Sequence, residues 1–180
     1  RDEQVGLTGL ELSREEEMRG QPGRQTIEVD VNGRKVRTIG VSNFPTDLLR
    51  QSLEIVDDLA ANQVEYHPYL SQRPLLKLMR ERGLVLVAHS PLVRGAILND
   101  PVLQEIARQR QLSVAQVVLR WLVQQEQVVA IPGALNVGQL RENLKVLEVT
   151  LTEDEMATIS ALARGTRIVD PPHSPVWDSA

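Results

Sequence analysis

The sequence predicts an α/β protein, a parallel sheet with helices packed outside it, and three observations carry that prediction. Short apolar runs alternate with amphipathic helical stretches from Thr38 onward. The runs are continuous rather than alternating, as in strands buried on both faces. Each run ends in small or polar residues, at the edge where βα folds carry their binding groups. The runs are "TIGVSN", "ANQVEY", "LVLVAHS" and "QVVAIPG". With the helices that follow they make four βα units, the crossover connection that parallel strands require.

Taken in order, residues 1–34 read differently from the rest. "ELSREEEMRGQPGRQ" is charged and broken by Gly20, Pro22 and Gly23, so it predicts a short helix at most and then a loop. The Glu15–Glu17 run reads as a solvated face. Asn32-Gly33 stands between two alternating runs and predicts a hairpin over 26–39, since both turn residues must take positive φ. The alternative is that Arg34 to Ile39 leads straight into a buried strand.

From there the punctuation is regular. "PTDLLRQSLEIVDDL" and "RPLLKLMRERG" follow the first two runs as helices, and a helical pair spans Pro101 to Gln125. Val114, Val117, Val118, Trp121 and Leu122 share one face at helical spacing. Ser113 with Gln116, and Thr152 with Glu155, fit the capping box. Asn136 is the expected N-cap of "VGQLRENLKVL", with Gln139 at its third helical position.

Composition excludes several functions. Twenty Lys+Arg against 24 Asp+Glu leave a formal charge of −4 and no basic run, which speaks against a nucleic-acid partner. Aromatic content of 3% is too low for a base-stacking platform. The absence of cysteine removes disulfides, thiolate metal sites and Cys nucleophiles, and makes a cytoplasmic location the default. No apolar run is long enough to span a bilayer, and the charged start has no signal-peptide core. A first residue of Arg1 rather than Met fits a fragment or a processed product.

The four strand ends would form one polar rim. The first ends in Ser42 and Asn43, the second carries Gln63 and Glu65, the third His89 and Ser90, and the fourth Gly133 and Ala134 before Asn136. Ser, Asn and Gly are also ordinary turn and cap residues, so the rim alone does not fix a ligand. Glu65 and His67 as a metal pair lack an evident third ligand.

Five segments then stand in a telling order: "GVSNF", "NQVEYHPYL", "LVAHSPLVRG", "AQVVLRWLVQQ" and "IPGALNVGQLRENL". Their order and spacing resemble the aldo-keto reductases, NAD(P)H-dependent carbonyl reductases on a (β/α)8 TIM barrel. The closing "RIVDPPHSPVWD" is similar to the tail of the 2,5-diketo-D-gluconate reductase type. The resemblance runs from Lys35 to the C-terminus and implies a partial barrel, strands five to eight, behind an N-terminal extension of residues 1–34. It implies that Ser42, Asn43 and Gln63 hold the nicotinamide carboxamide. A hydroxyl and two amides match its donors and acceptor without adding net charge. His89 stands where the family commonly has a stacking Tyr. Ser90, Leu92 and Arg94 fall in the loop along the pyrophosphate and adenosine side. Where many members carry Lys, Ser and Arg for the 2′-phosphate of NADP, this chain has Gly133, Ala134 and Gln139, so the cofactor is NADP(H) or NAD(H), with no metal. Glu142 and Asn143 match residues near the adenine, and the backbone N–H groups after Asn136 can receive a phosphate.

The family's catalytic Asp, Tyr, Lys and His come from strands that precede "GVSNF", and their motifs do not occur here. The only tyrosines are Tyr66 and Tyr69, and the only lysines Lys35, Lys77 and Lys145, the last two in helical patterns. Of the histidines, His67 reads as a packing or turn residue and His173 sits in a Pro-rich tail. Trp177 is expected to cap the barrel base or the substrate side. A complete barrel needs ~250 residues. The expected function is therefore reduction of aldehydes or ketones with NAD(P)H by a chain that carries the cofactor half of the site. The alternative is an inactive truncated reductase that at most binds a dinucleotide or self-associates. The expected partner is a small carbonyl compound, with a homodimer through the open half-barrel edges as a further expectation.

Overall fold

A computed structural model describes residues 38–56, 58–172 and 174–178. The hairpin expected over 26–39 lies, but for its last two residues, outside them. So do the Glu15–Glu17 run, Lys35 and His173. The described chain runs β1 (Ile39–Ser42), α1 (Thr46–Leu53), β2 (Leu59–Glu65), α2 (Arg73–Glu81), β3 (Val85–His89) and a 3-10 segment at Val93–Asn99. It continues with α3 (Pro101–Arg110), α4 (Val114–Val123), β4 (Val128–Ala130), α5 (Val137–Leu144), a second 3-10 segment at Lys145–Glu148 and α6 (Glu153–Ser160).

The four strands form one sheet in the order β1-β2-β3-β4, every neighbouring pair parallel. This is the expected partial (β/α)8 barrel: four βα units with all C-terminal strand ends on one edge. The helix starts follow their sequence signals. Both capping boxes are complete, Ser113 with Gln116 and Thr152 with Glu155. The Asn136 side chain accepts from Gln139 N–H, and the Asp100 carboxylate caps α3 through Val102 N–H and Leu103 N–H.

The two faces of the sheet differ, contrary to the burial on both faces that the continuous apolar runs predict. Leu86, Ala88 and Val64 are buried against the helices, where α2 packs on β3 and α4 on β4. Val85, Val87 and His89, on the opposite face, are only half-buried, and Val129, paired with Val87, is 44% exposed. The reason is geometric. Four strands make an open arc, so its concave face gains cover only from strands across a closed barrel.

The β1–β2 contact is close. A Cβ added at Gly40 would stand 2.9 Å from the Ala61 carbonyl oxygen, so only glycine fits there. Next to it, buried Asn62 ties β2 to the loop after β1: its Nδ2 donates to Phe44 O at 2.7 Å and its Oδ1 accepts from Phe44 N–H at 3.4 Å.

Candidate functional site

The site is the C-terminal edge of the sheet. β1 leaves it abruptly, because Asn43 takes φ 59°. Asn is among the few residues that tolerate this left-handed conformation. The turn lets Asn43 N–H donate to Gln63 O at 2.8 Å, while Ser42 Oγ donates to the same carbonyl at 3.2 Å. Ser42 and Gln63 are also register partners. Asn43 thus has a structural task as well as any binding task.

His89 closes the group from β3. Its Nε2 lies 3.2 Å from Asn43 Oδ1 and its Nδ1 3.1 Å from Ser90 Oγ. A neutral imidazole with its proton on Nε2 satisfies both contacts, donating to the amide oxygen and accepting from the hydroxyl. Burial is the main cause that pushes the His89 pKa down from its ordinary 6.5. Arg167 and His67 add to the fall, and Glu65 opposes it. Near neutral pH the rim therefore presents neutral amide, hydroxyl and imidazole groups. Ser42, Asn43, Gln63, His89 and Ser90, all half-buried, are brought together across three adjacent strands.

The loop after β3 is bent sharply. Ser90, Val93 and Arg94 take φ of 52°, 52° and 51°, and Gly95 follows at 91°. For β-branched Val93 this is strain of order 1–3 kcal/mol, held by Val93 N–H to Ser90 O and Gly95 N–H to Leu92 O. Leu92 is half-buried and Arg94 exposed. The last predicted group lies further along the chain. Gly133, Asn136, Gln139 and Glu142 are exposed and Asn143 is half-buried. Gln139 Oε1 accepts from Leu135 N–H at 2.7 Å, and Glu142 pairs with Lys145 at 2.6 Å.

The tyrosines and the remaining lysines are spent elsewhere. Tyr66 donates to Gln125 Oε1 at 2.7 Å and packs on Trp121. Burial pushes its pKa up to about 12. Tyr69 donates to Asp100 Oδ2 at 2.7 Å. Burial, then the Asp100 carboxylate, raises its pKa. Lys77 and Lys145 are exposed on the outer helical layer.

Glu65 is the strand-end residue whose role the sequence reading left unassigned. It is fully buried at the end of β2 and in register with His89. Its carboxylate accepts from His67 Nε2 at 2.8 Å, Ile168 N–H at 2.8 Å and Val169 N–H at 2.9 Å. Burial pushes its pKa up, but these hydrogen bonds outweigh burial and hold it below the usual 4.5. Glu65 and His67 thus bond to each other, Glu65 alone holds the tail, and no cluster of three His, Asp or Glu that could hold a metal occurs among the described residues. The tail runs on to Asp178, which accepts from Thr46 N–H and Thr46 Oγ1 at the start of α1. It therefore crosses the strand-end edge from β2 to β1. Trp177 stacks under Arg167, 3.8 Å from ring centroid to guanidinium carbon, and donates to Asp170 Oδ1. A charged residue closing an apolar strand was the only sequence signal for this clamp.

The comparisons with known proteins bear on this edge. The Aldo/keto reductase family model matches residues 31–164. The chain belongs to the aldo/keto reductase family. Glyoxal reductase of Bacillus subtilis (strain 168) is 38% identical over 135 residues, which cover 74% of this chain and 49% of that protein. A crystal structure provisionally named 2,5-diketo-D-gluconic acid reductase B superposes with a TM-score of 0.79 at 40% identity, covering 82% of this chain and 54% of that one. A crystal structure of a Gox0644 mutant in complex with NADPH superposes with a TM-score of 0.69 at 33% identity, over 74% and 50%. This aldo/keto reductase chain spans about half the length of the curated relatives it matches. A second family model, the penicillin-binding protein dimerisation domain, matches residues 1–46, and residues 31–46 fall in both matches. No described helix is long and apolar enough to cross a membrane.

Proposed function

We propose that this chain carries the nicotinamide-holding half of a carbonyl-reducing aldo/keto reductase, with Asn43, Gln63 and Ser42 as the carboxamide-binding groups. The observation that carries the reading is the neutral polar cluster on three adjacent strand ends, with Asn43 and His89 in contact and Ser42 and Asn43 both bonded to Gln63. Amide and hydroxyl groups fit a carboxamide, which needs both donors and an acceptor.

The dinucleotide, when bound, supplies the hydride. The chain's residues bind and orient. Asn43 Oδ1, now against His89, would accept from the carboxamide N–H, and the Gln63 amide would complement it. His89 presents a flat neutral ring at the position where the family commonly stacks an aromatic. Ser90, Leu92 and Arg94 border the pyrophosphate path. The first turn after Asn136, with Gly133, Gln139, Glu142 and Asn143, takes the adenosine end of NADP(H) or NAD(H). Tyr66 and Tyr69 face Gln125 and Asp100, so no general acid is assigned within this chain. An aldehyde or ketone would receive its proton from a group outside it.

A second reading, a truncated reductase that self-associates, is favoured by the apolar edge at β4 and α5. Val129, Ile131, Leu135, Val137, Leu140 and Leu144 are exposed there. The extension, residues 1–34, is proposed as a separate unit from the barrel half at 35–180, and the chain as a cytoplasmic one.

Fluorescence titration with NADPH and NADH, beside a glyoxal-reduction assay, tests both readings. Binding without turnover is expected, and Asn43→Ala should weaken it about tenfold. Turnover at the rate of an intact reductase would overturn the assignment of a cofactor half without its acid. Undiminished binding by Asn43→Ala would overturn the carboxamide site.

A further inference from the structure

We propose that a cavity on the outer, helical side of the sheet, between α2, α4 and α6, binds a small aryl anion. The cavity has a volume of about 430 Å³, within the range of small-molecule sites. It is lined by residues after β2 and on the helices, not by the Asn43–His89 rim, and the inference does not rest on the cofactor reading.

Its floor is apolar and aromatic. Tyr66 and Trp121 are buried, with ring centroids 5.2 Å apart and planes tilted by 52°. Leu70 and Leu76, also buried, stand beside them in the lining. Buried His67, also in the lining, has no partner for its Nδ1 among the described residues, while the other buried polar side chains of the floor are engaged with one another. Tyr66 donates to Gln125 Oε1, Trp121 Nε1 donates to Ser160 Oγ at 3.1 Å, and Ser160 Oγ donates to Met156 O at 2.7 Å. The Tyr66 hydroxyl, with its pKa near 12, stays neutral and repels no anion. What the floor offers a ligand is ring and aliphatic surface.

The mouth is cationic. Arg73, Lys77 and Arg80 lie at i, i+4 and i+7 along α2, one face of a helix, and all three line the cavity. None makes an ion pair among the described residues. Arg80 gives its Nε and Nη2 to the Glu126 carbonyl at 3.3 Å. The Arg73 and Lys77 charged groups make no hydrogen bond among the described residues. Glu81 is the one carboxylate in the lining. Three cations against one anion, above an aromatic floor, match a planar apolar body bearing a carboxylate or phosphate. The body displaces water from the rings while the charge meets the Arg73 guanidinium in paired hydrogen bonds.

Phenyl phosphate is the probe, with inorganic phosphate and phenol as its two halves, titrated calorimetrically into the intact 180-residue chain. Phenyl phosphate should bind at least about tenfold more tightly than either half. The exposed double substitution Arg73→Gln/Lys77→Gln should weaken it by about tenfold or more with unchanged far-UV circular dichroism. Asn43→Ala, on the strand-end rim, should leave it unchanged, and a single Lys77→Glu reversal should weaken it further than Lys77→Gln. Equal affinity for inorganic phosphate or for phenol, indifference to the α2 substitutions, or no heat of binding would each overturn the proposal.

Discussion

The ends of β2 and β3 and the edge formed by β4 and α5 are built on opposite terms. At β2, buried polar groups bond to one another and to backbone, leaving only His67 Nδ1 of the group without a partner among the described residues. Asn62 closes on both backbone groups of Phe44, and Glu65 gathers His67, Ile168 and Val169. At β4 Val129 is exposed between buried Val128 and half-buried Ala130, and α5 has no buried residue at all. Leu135 is 94% exposed. A cluster bonded this closely within the chain needs no further surface to pair its carboxylate and amide. An apolar edge of this extent is complete only against another surface. The contrast accords with a chain that spans about half the length of its curated relatives.

Breaking the first region should cost the most. Glu65→Ala leaves two backbone N–H groups and the His67 Nε2 unpaired in a buried site, and should lower stability by about 3 kcal/mol or more. Chemical denaturation measures this, and hydrogen exchange at Ile168 and Val169 should rise to that of an open segment. Unchanged exchange there would mean that the clamp does not hold the tail. Asn62→Ala removes one amide that serves a single residue, and should cost about 2 kcal/mol by the same denaturation.

Acid probes the same clamp without substitution. The Glu65 pKa lies below its ordinary 4.5, so the folded state binds the proton less readily than the unfolded chain. Its contribution is full above pH 4.5 and is lost as the pH falls through the folded value. Denaturation midpoints of the native chain should therefore drop below that pH more steeply than those of Glu65→Gln.

The smallest effect on stability is expected at the β4–α5 edge. Leu140→Ser with Leu144→Ser, both exposed, should change the unfolding free energy by less than about 0.5 kcal/mol. Light scattering should nonetheless show less self-association. A large loss of stability would show that the two regions are not so different. Unchanged scattering would remove this edge as the surface through which copies meet.

Much of this was legible before any coordinates. The four apolar runs became the four strands, and Ser113, Asn136 and Thr152 cap helices where their spacing said they would. Local signals suffice there, because a cap or a turn is decided by residues three or four apart. The order of the strand ends was legible too, since alternating β and α elements leave parallel strands with their ends on one edge. The sequence did not say that one sheet face would stand half open, because continuous apolar runs look alike whether or not strands arrive from across the barrel. Nor did it say that His89 would reach Asn43, 46 residues away, or that Glu65 would hold backbone groups more than 100 residues further on. Those pairings depend on strand register and on the path of the tail. The stretch from Ser42 to Phe44 joins both kinds of determination. Asn43 is locally suited to the left-handed turn that ends β1, but only the neighbouring strands turn that residue into part of a binding edge.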